Sequence, residues 1–237
     1  MGRHGPKFVS ERNKFKFSPL RVITDKRAGG SMLKLWGRTN SINVMKVLWT
    51  LEEIGLPYER IDAGMQFGVV NTAEYRAINP NSRVPTIDED GFTLFESNTI
   101  VRYLCAKYSM GDLYPKELRA RADAERWMDW ATAQVQPVMT PVFWNLIRTT
   151  AEKRNHIVIA ENTVATNKTM EVLDWGLTQR PYIAGSSLTI GDIAAGVWVH
   201  RWYALPIERP DLPRVRAYYQ RLQNRSAYRL HVLLPLS

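Results

Sequence analysis

The sequence predicts an α/β domain followed by an all-helical domain, and two observations support this division. Strand-like and helix-like patterns alternate from Met32 onward, over about 80 residues. After the segment SMGDLYP the strand-like pattern ends, and the remaining stretches have the length and apolar spacing of helices. The predicted parts are a basic extension at residues 1–31, the α/β domain at residues 32–109, a linker at residues 110–115 and the helical domain at residues 116–237.

The α/β domain is predicted to begin with a strand, a helix and a second strand. The first strand is MLKLW and the second is PYERID. Between them a helix is predicted from about Asn43 until Gly55 and Pro57 stop it. Apolar residues recur on one face of this helix at Val44, Val47, Leu48, Leu51 and Ile54. A strand–helix–strand unit of this kind makes the two strands parallel.

The rest of this domain is predicted to add a short helix, a hairpin and a closing helix. The loop AGMQFGVVNT leads to a helical piece at residues 73–77. VPTID and FTLFE form an antiparallel hairpin, because an acidic turn ending in Gly91 separates them. SNTIVRYLCAKY closes the unit as a helix. This order of elements is that of a thioredoxin-like domain.

The helical domain is predicted to contain long helices at residues 116–136 and 151–178. A further buried helix is predicted at LTIGDIAAGVWVH. Thr189 would be its N-cap, and Asp192 would reach back to the Thr189 N–H as in a capping box. DLPRVRAYYQRLQNRSAY is predicted to be a last amphipathic helix.

Composition and charge narrow the class of protein. The 237 residues are 45% hydrophobic, which is too apolar for a disordered chain, and no apolar run approaches the roughly 20 residues that span a bilayer. The single cysteine, Cys105, excludes an internal disulfide and fits a reducing compartment, so a cytoplasmic location is expected. We expect this thiol to be buried and inert.

The positive charge is concentrated at the start of the chain. Residues 1–31 hold eight Lys or Arg and two Asp or Glu, so most of the net charge of +9 lies there. The remaining charge is ordinary for a globular domain and gives little support to nucleic-acid binding. We predict a disordered or artefactual extension before a domain that begins near Met32, with a transit peptide as the alternative.

The chain from Met32 to about Leu236 resembles the cytosolic glutathione transferases, particularly the bacterial theta-like, beta-like and nu-like groups. Three stretches carry the resemblance: LWGRTNSINVMKVLWTLEEIGLPYE, SRVPTIDEDGFTLFESNTIVRYL and SLTIGDIAA. The resemblance implies a thioredoxin-like domain that binds glutathione, a helical domain that supplies the electrophile pocket, and a homodimer. It implies glutathione as co-substrate and no covalently bound cofactor.

Several residues of the first domain match the glutathione contacts of this family. The resemblance implies a cis bond before Pro85, which would leave the Val84 backbone groups free to pair with the cysteinyl unit of glutathione. Ser97, at a strand-to-helix junction, suits the glutamyl α-carboxylate, and Glu96 suits the neighbouring ammonium group.

Two further residues are expected at the glycyl end of glutathione. Gln66 matches the residue that nu-like members direct there, and Arg83 could supply charge to the glycyl carboxylate. Both could instead be solvated loop residues.

Hydroxyl and amide groups crowd the start of the first helix, and they are more than one cap needs. If glutathione binds as above, its sulfur points to this helix N-terminus, where the thiol pKa falls below its free value of about 8.5. The chain has no cysteine here, so the bound tripeptide supplies the nucleophile. Asn43 matches the catalytic asparagine of nu-like members, and Ser41 is the second candidate. Thr39 and Asn40 remain as further candidates.

The second substrate is expected to bind against the helical domain. Aromatic residues gather at Trp127, Trp130, Phe143 and Trp144, and each could line an apolar pocket or belong to the core. Pro137 and Pro141 lie in the same stretch and are expected to bend or break the helix. Arg148 or Arg126 could also reach the glutathione.

The sequence therefore predicts a transferase that adds glutathione to small hydrophobic electrophiles. A nu-like glutathione-dependent disulfide or peroxide reductase and a non-catalytic glutathione-binding homologue are the alternatives. The four histidines are scattered without metal-ligand spacing, so we expect no metal, and we expect no nucleic-acid or membrane partner.

Overall fold

The computed structural model describes residues 32–237, so the predicted basic extension at residues 1–31 lies outside the described residues. The first half of the described chain alternates strands and helices. These are β1 (Leu33–Trp36), α1 (Ile42–Ile54), β2 (Tyr58–Ile61), α2 (Ala73–Ile78), β3 (Thr86–Glu89), β4 (Phe92–Phe95) and α3 (Ser97–Tyr108).

The four strands form one mixed sheet in the order β2-β1-β3-β4. β1 and β2 are parallel, with Leu33 opposite Tyr58, and β3 pairs antiparallel with both β1 and β4. In β1, Leu33 and Leu35 are buried and Lys34 between them is exposed, as expected for a strand with one face of the sheet covered. The predicted thioredoxin-like unit is confirmed.

Helix α1 begins one residue earlier than the sequence predicted. Ser41 is its N-cap, so Asn43 lies inside the first turn and is not the cap. The helix ends as predicted at Gly55, whose backbone has φ 65°, a left-handed conformation that glycine adopts without steric penalty.

The second half of the described chain is helical. Its α-helices are α4 (Leu118–Trp130), α5 (Gln136–Phe143), α6 (His156–Gly176), α7 (Ile190–Ala204), α8 (Pro213–Gln223) and α9 (Ser226–His231). None of the helices in the described part of the chain, residues 32–237, has both the length and the hydropathy of a transmembrane span.

The expected break at the two prolines does not occur. The chain remains helical from α4 through α5, with π-helical segments at Ala131–Val135 and Trp144–Arg148 on either side of Pro137 and Pro141. Proline has no N–H to donate to the α-helical ladder, and the π-helical turns beside the two prolines change that ladder locally, so the helix continues past both. The break was therefore the wrong expectation.

Two other predicted helices are divided. The predicted helix at residues 151–178 is a short 3₁₀ turn at Ala151–Lys153 followed by α6. The predicted last helix is divided into α8 and α9, with a turn between Gln223 and Ser226.

Helix α7 is almost completely buried, and its start follows the predicted cap. The Asp192 carboxylate accepts the Thr189 N–H at 2.8 Å, as predicted. It also accepts the Ile183 N–H at 2.9 Å and the Tyr218 hydroxyl at 3.0 Å. Burial raises the pKa of Asp192 to about 6, although these hydrogen bonds oppose the shift. Asp192 therefore connects the start of α7 to the loop at Ile183 and to α8 at Tyr218 by hydrogen bonds.

Helix α1 also packs against the helical domain. The buried Trp49 ring meets Tyr228 edge to face, with ring centroids 4.7 Å apart. One turn later, Glu53 accepts two hydrogen bonds from the Arg225 guanidinium, at 2.7 and 2.6 Å. The same helix therefore contacts the sheet and the second domain.

Candidate active site

Two cavities meet at the N-terminus of α1. The polar cavity, about 370 Å³, lies against the start of α3 and includes Lys46, Pro85, Glu96, Ser97, Arg102 and Asp129 in its wall. The aromatic cavity, about 410 Å³, lies against the helical domain and includes Ile42, Phe143, Trp144, Trp198 and Arg201. Four residues line both cavities: Asn43, Arg83, Val84 and Gln136.

Ser97 is the centre of the polar cavity. It is the first residue of α3 and is buried, 7% exposed. Its hydroxyl donates to Asn43 Oδ1 at 3.3 Å and accepts from Lys46 Nζ at 3.4 Å. Lys46 also donates to Asn98 Oδ1 at 3.1 Å. The start of α3 therefore combines free helix N–H groups with a hydroxyl and an ammonium group, an arrangement that suits an anion.

The sequence analysis did not assign Lys46 to the site. Its side chain is 1% exposed, and burial lowers the pKa of the ammonium group to about 8, although nearby Glu96 raises it and Arg201 lowers it further. Glu96 acts on Lys46 only at a distance, because the hydrogen bonds of the Lys46 ammonium group go to Ser97 and Asn98 and it forms no direct ion pair within residues 32–237. A ligand carboxylate in the polar cavity would supply the missing countercharge.

Glu96 occupies a strained backbone conformation beside this cavity. Its φ is 70°, in the left-handed region that glycine favours, although it is the N-cap of α3. Strain of this kind persists where the surrounding structure holds the residue, and it is common at ligand sites. The side chain is thereby placed in the cavity wall beside Ser97.

The segment before β3 separates the two cavities. The Val84–Pro85 peptide bond is cis, as the resemblance implied. Neither the N–H nor the C=O of Val84 forms a hydrogen bond within residues 32–237. The preceding carbonyl, of Arg83, is held by the Tyr75 hydroxyl at 2.7 Å and by the Asn79 amide at 2.8 Å. A fixed segment with free backbone groups suits pairing with an extended peptide.

The predicted thiolate donors occupy different positions at the start of α1. Ser41 is buried and lines the aromatic cavity, and its side chain makes no capping hydrogen bond. Asn43 lies between the cavities, and because its Oδ1 accepts from Ser97, its Nδ2 hydrogens remain as donors. Asn40 lines the aromatic cavity, whereas Thr39 is exposed and lines neither cavity.

The predicted aromatic pocket residues divide into two groups. Phe143 and Trp144 line the aromatic cavity, joined by Trp198 of α7, which the sequence analysis did not single out. Trp127 and Trp130 line neither cavity and meet edge to face, at 5.2 Å, in the helical core. Trp127 and Trp130 do not reach the cavities because they lie on another face of the continuous helix. The face directed at the first domain carries Thr132, Gln136, Thr140 and Phe143.

The aromatic cavity also contains four arginines, and the sequence analysis missed two of them. Arg38, Arg83, Arg148 and Arg201 line it, and only Arg83 and Arg148 were predicted near the site. Arg126, the alternative to Arg148, lies outside both cavities and pairs with Asp123. The sequence did contain one signal for Arg201, because a charged side chain in the mostly apolar helix IGDIAAGVWVHRWYA is unusual.

Two other predicted features lie away from the cavities. Gln66 is exposed in the 3₁₀ segment Met65–Phe67 and lines neither cavity. Cys105 is buried, and burial raises the pKa of its thiol to about 12, which keeps it protonated. Within residues 32–237, no group of three His, Cys, Asp or Glu side chains is placed to hold a metal ion.

Comparison with known families identifies both halves of the chain. The family described as glutathione S-transferase, N-terminal domain, matches residues 31–106, and the corresponding C-terminal domain family matches residues 158–221. The glutathione S-transferase GstB of Escherichia coli strain K12 is 38% identical over 208 residues, which cover 87% of this chain and all of that protein.

Two further relatives bear on the site. The theta class glutathione S-transferase of Xanthomonas axonopodis pv. citri, solved with glutathione bound, has a TM-score of 0.84 and 42% identity, covering 86% of this chain and 99% of that one. The disulfide-bond oxidoreductase YfcG of Escherichia coli strain K12 is 29% identical over 192 residues, covering 78% of this chain and 87% of that protein.

Proposed function

The chain belongs to the glutathione transferase family, and we propose that it binds glutathione in the polar cavity and activates it as a thiolate for attack on small hydrophobic electrophiles. The observation that carries this proposal is the wall that the two cavities share. One ligand can lie in each cavity, and the reacting atoms can meet at Asn43 and Val84.

The polar cavity supports a defined orientation of glutathione. The glutamyl end of glutathione carries both a carboxylate and an ammonium group. The carboxylate matches Ser97 and Lys46, and the ammonium group matches Glu96. From there the cysteinyl unit would pair with the free backbone groups of Val84. The glycyl carboxylate would then point towards Arg83, with Gln66 as the second predicted contact.

This orientation directs the sulfur to the N-terminus of α1. The unpaired N–H groups of the first turn, the Asn43 amide and the Ser41 hydroxyl would stabilise the thiolate and lower its pKa. The thiol proton is released to solvent. The thiolate forms a carbon–sulfur bond with the electrophile, and the leaving group departs with the electron pair of the bond that breaks. The aromatic cavity holds the apolar body of the electrophile during this step.

The test is the ultraviolet titration of the thiol of bound glutathione in the parent protein and in Asn43→Ala and Ser41→Ala. Losing a hydrogen bond to a charged group costs roughly 1.5–3 kcal/mol, so removing the principal donor should raise the thiol pKa by about one to two pH units. Ser187→Ala, at an exposed loop position, is the matched control, and Thr39→Ala should also leave the pKa unchanged. A parent protein that never lowers the thiol pKa would overturn thiolate activation.

A glutathione-dependent disulfide reductase is the second candidate, and the similarity to YfcG favours it. In that reaction the thiolate attacks a sulfur atom and releases the other sulfur as a thiolate. Turnover of a chloronitroarene and of a small dialkyl disulfide, measured in the same preparation, separates the two reactions. A higher kcat/KM for the disulfide would favour the reductase.

The proposal also includes a homodimer in the cytoplasm, on the basis of the family resemblance and the single cysteine. Light scattering after size exclusion measures the assembly, and a monomeric mass would overturn the dimer.

A further inference from the structure

The aromatic cavity combines aromatic walls with positive charge. Arg38, Arg83, Arg148 and Arg201 line it, and no Asp or Glu within residues 32–237 does. Arg83 also lines the polar cavity, where the glycyl carboxylate of glutathione can meet it. Three guanidinium groups therefore remain on the electrophile side.

Arg201 is the most deeply buried of the three. Arg201 is 6% exposed, and its Nε is buried without a hydrogen-bond partner within residues 32–237. Its guanidinium lies 4.0 Å from the centroid of the Phe143 ring and 5.3 Å from that of Trp198. Burial, followed by repulsion from Arg148 and Arg38, lowers its pKa to about 9, so it still carries its charge at neutral pH.

The two neighbouring arginines add to this positive field. Arg38 is half-buried, and its Nε also has no hydrogen-bond partner within residues 32–237. Arg148 stacks 4.8 Å from the Trp144 ring centroid and donates to the main-chain oxygen of Ser237 at 2.8 Å, and no Asp or Glu within residues 32–237 forms an ion pair with it. Burial and Arg148 lower the pKa of Arg38.

Charged groups that are buried without counterions are costly, and buried charges in proteins are therefore usually paired. A ligand carboxylate would supply that pair here. A planar guanidinium matches a carboxylate through two parallel hydrogen bonds. Phe143, Trp144 and Trp198 offer apolar surface beside these groups, and the volume of about 410 Å³ limits the ligand to a small molecule.

We propose that the electrophile of this enzyme carries a carboxylate, which Arg201 binds with Arg38 and Arg148 while its apolar body packs on Phe143 and Trp144. This inference names the substrate class of the same site, so it rests on the proposed function. The carboxylate takes no part in bond changes. Sulfur replaces the leaving group at a carbon atom at the other end of the electrophile.

The test compares chlorodinitrobenzoate with its methyl ester, which differ in one negative charge. Each reacts with glutathione by loss of chloride, and each catalysed kcat/KM is divided by its own uncatalysed rate constant. We expect the acid to be preferred by about tenfold or more. Arg201→Met should reduce the ratio of the acid value to the ester value by about tenfold.

Two further variants keep the test decisive. Arg201→Lys retains the charge without the planar fork and should recover part of the preference for the acid. Arg119→Met removes an exposed positive charge from α4 and should change nothing, which controls for net charge. Thermal unfolding followed by circular dichroism identifies any variant that fails to fold, and Arg148→Met then replaces Arg201→Met.

The outcomes separate this inference from the proposed function. If the ester reacts as well as the acid, or if Arg201→Met raises the KM for glutathione instead, the inference is overturned and the transferase reaction stands. If neither compound reacts, the binding of unreactive dinitrobenzoate and its methyl ester is measured by the change in the tryptophan fluorescence of the protein, to which Trp144 and Trp198 in the cavity wall contribute. Tighter binding of the acid then supports the inference without the reaction, and equal binding overturns it.

Discussion

The polar and aromatic cavities share a wall but differ in the balance of their charges. The polar cavity has acidic residues, Glu96 and Asp129, together with basic ones, Lys46 and Arg102. The aromatic cavity has arginines and, within residues 32–237, no acidic residue. A wall with both signs suits a zwitterion such as the glutamyl end of glutathione, whereas a wall with one sign selects an anion. The difference assigns a separate ligand chemistry to each side of Asn43.

Of the variants that test this difference between the cavities, Ser97→Ala is expected to change the affinity for glutathione most. The change removes a hydroxyl that we place on the glutamyl carboxylate, and a hydrogen bond to a charged group contributes roughly 1.5–3 kcal/mol, or about 10- to 100-fold in the dissociation constant for glutathione. Calorimetry measures this constant in Ser97→Ala and in the control Ser187→Ala. Binding of dinitrobenzoate should not change, because Ser97 does not line the aromatic cavity. Equal affinity in Ser97→Ala and the parent would contradict the assignment.

A smaller effect on affinity, with a gain in stability, is expected from Lys46→Met. Charging this buried amine costs about 3 kcal/mol of folding free energy when its pKa falls from 10.5 to about 8. Methionine removes that cost, so the melting temperature without ligand should rise, while S-methylglutathione should bind about tenfold more weakly.

The same variant has a pH signature with a definite sign. Between pH 8 and pH 10.5 the unfolded chain holds a proton on Lys46 that the folded chain has released, so the contribution of Lys46 to the stability of the parent rises with pH across this window. Lys46→Met lacks this contribution, so the stability of the parent minus that of the variant should rise with pH across the window. Denaturant unfolding at several pH values measures it, and identical slopes in both proteins would refute the role of Lys46.

The smallest effect is expected from Gln66→Ala. This side chain is exposed and lines neither cavity, so the affinity for glutathione should change by less than about threefold, the range of a solvated contact. A loss of tenfold or more would show that the segment around Met65 moves over the glycyl end when glutathione binds. Arg76→Ala, another exposed residue of this region, is the control.

Most of the fold could be predicted because it depends on local patterns. Alternation in β1, the glycine that ends α1, and the Thr189 and Asp192 pair each act over a few residues. The errors have physical causes as well. Proline was expected to bend or break the helix, and the break is absent because the chain continues through π-helical segments. The turn after Gln223 divides a stretch that is amphipathic throughout.

The two cavities differ in how far the sequence reveals them. The principal residues of the polar cavity come from short stretches such as residues 96–99, so the family motifs contain them. The arginines of the aromatic cavity come from positions 38, 148 and 201, and only the tertiary fold brings them together. Helical phase also decides which aromatics reach the cavity, and π-helical turns alter that phase between Trp130 and Phe143.

Helix α1 has a consequence for how this protein can diversify. Its first turn faces the shared wall, Lys46 lies under the polar cavity, and Trp49 and Glu53 fasten the same helix to the second domain. Because all these contacts lie on one helix, the distance between the proposed sulfur position and the helical domain depends on a single element. Substitutions at Phe143, Trp144 or Arg201 can therefore change the electrophile specificity during evolution without moving the position proposed for the glutathione sulfur.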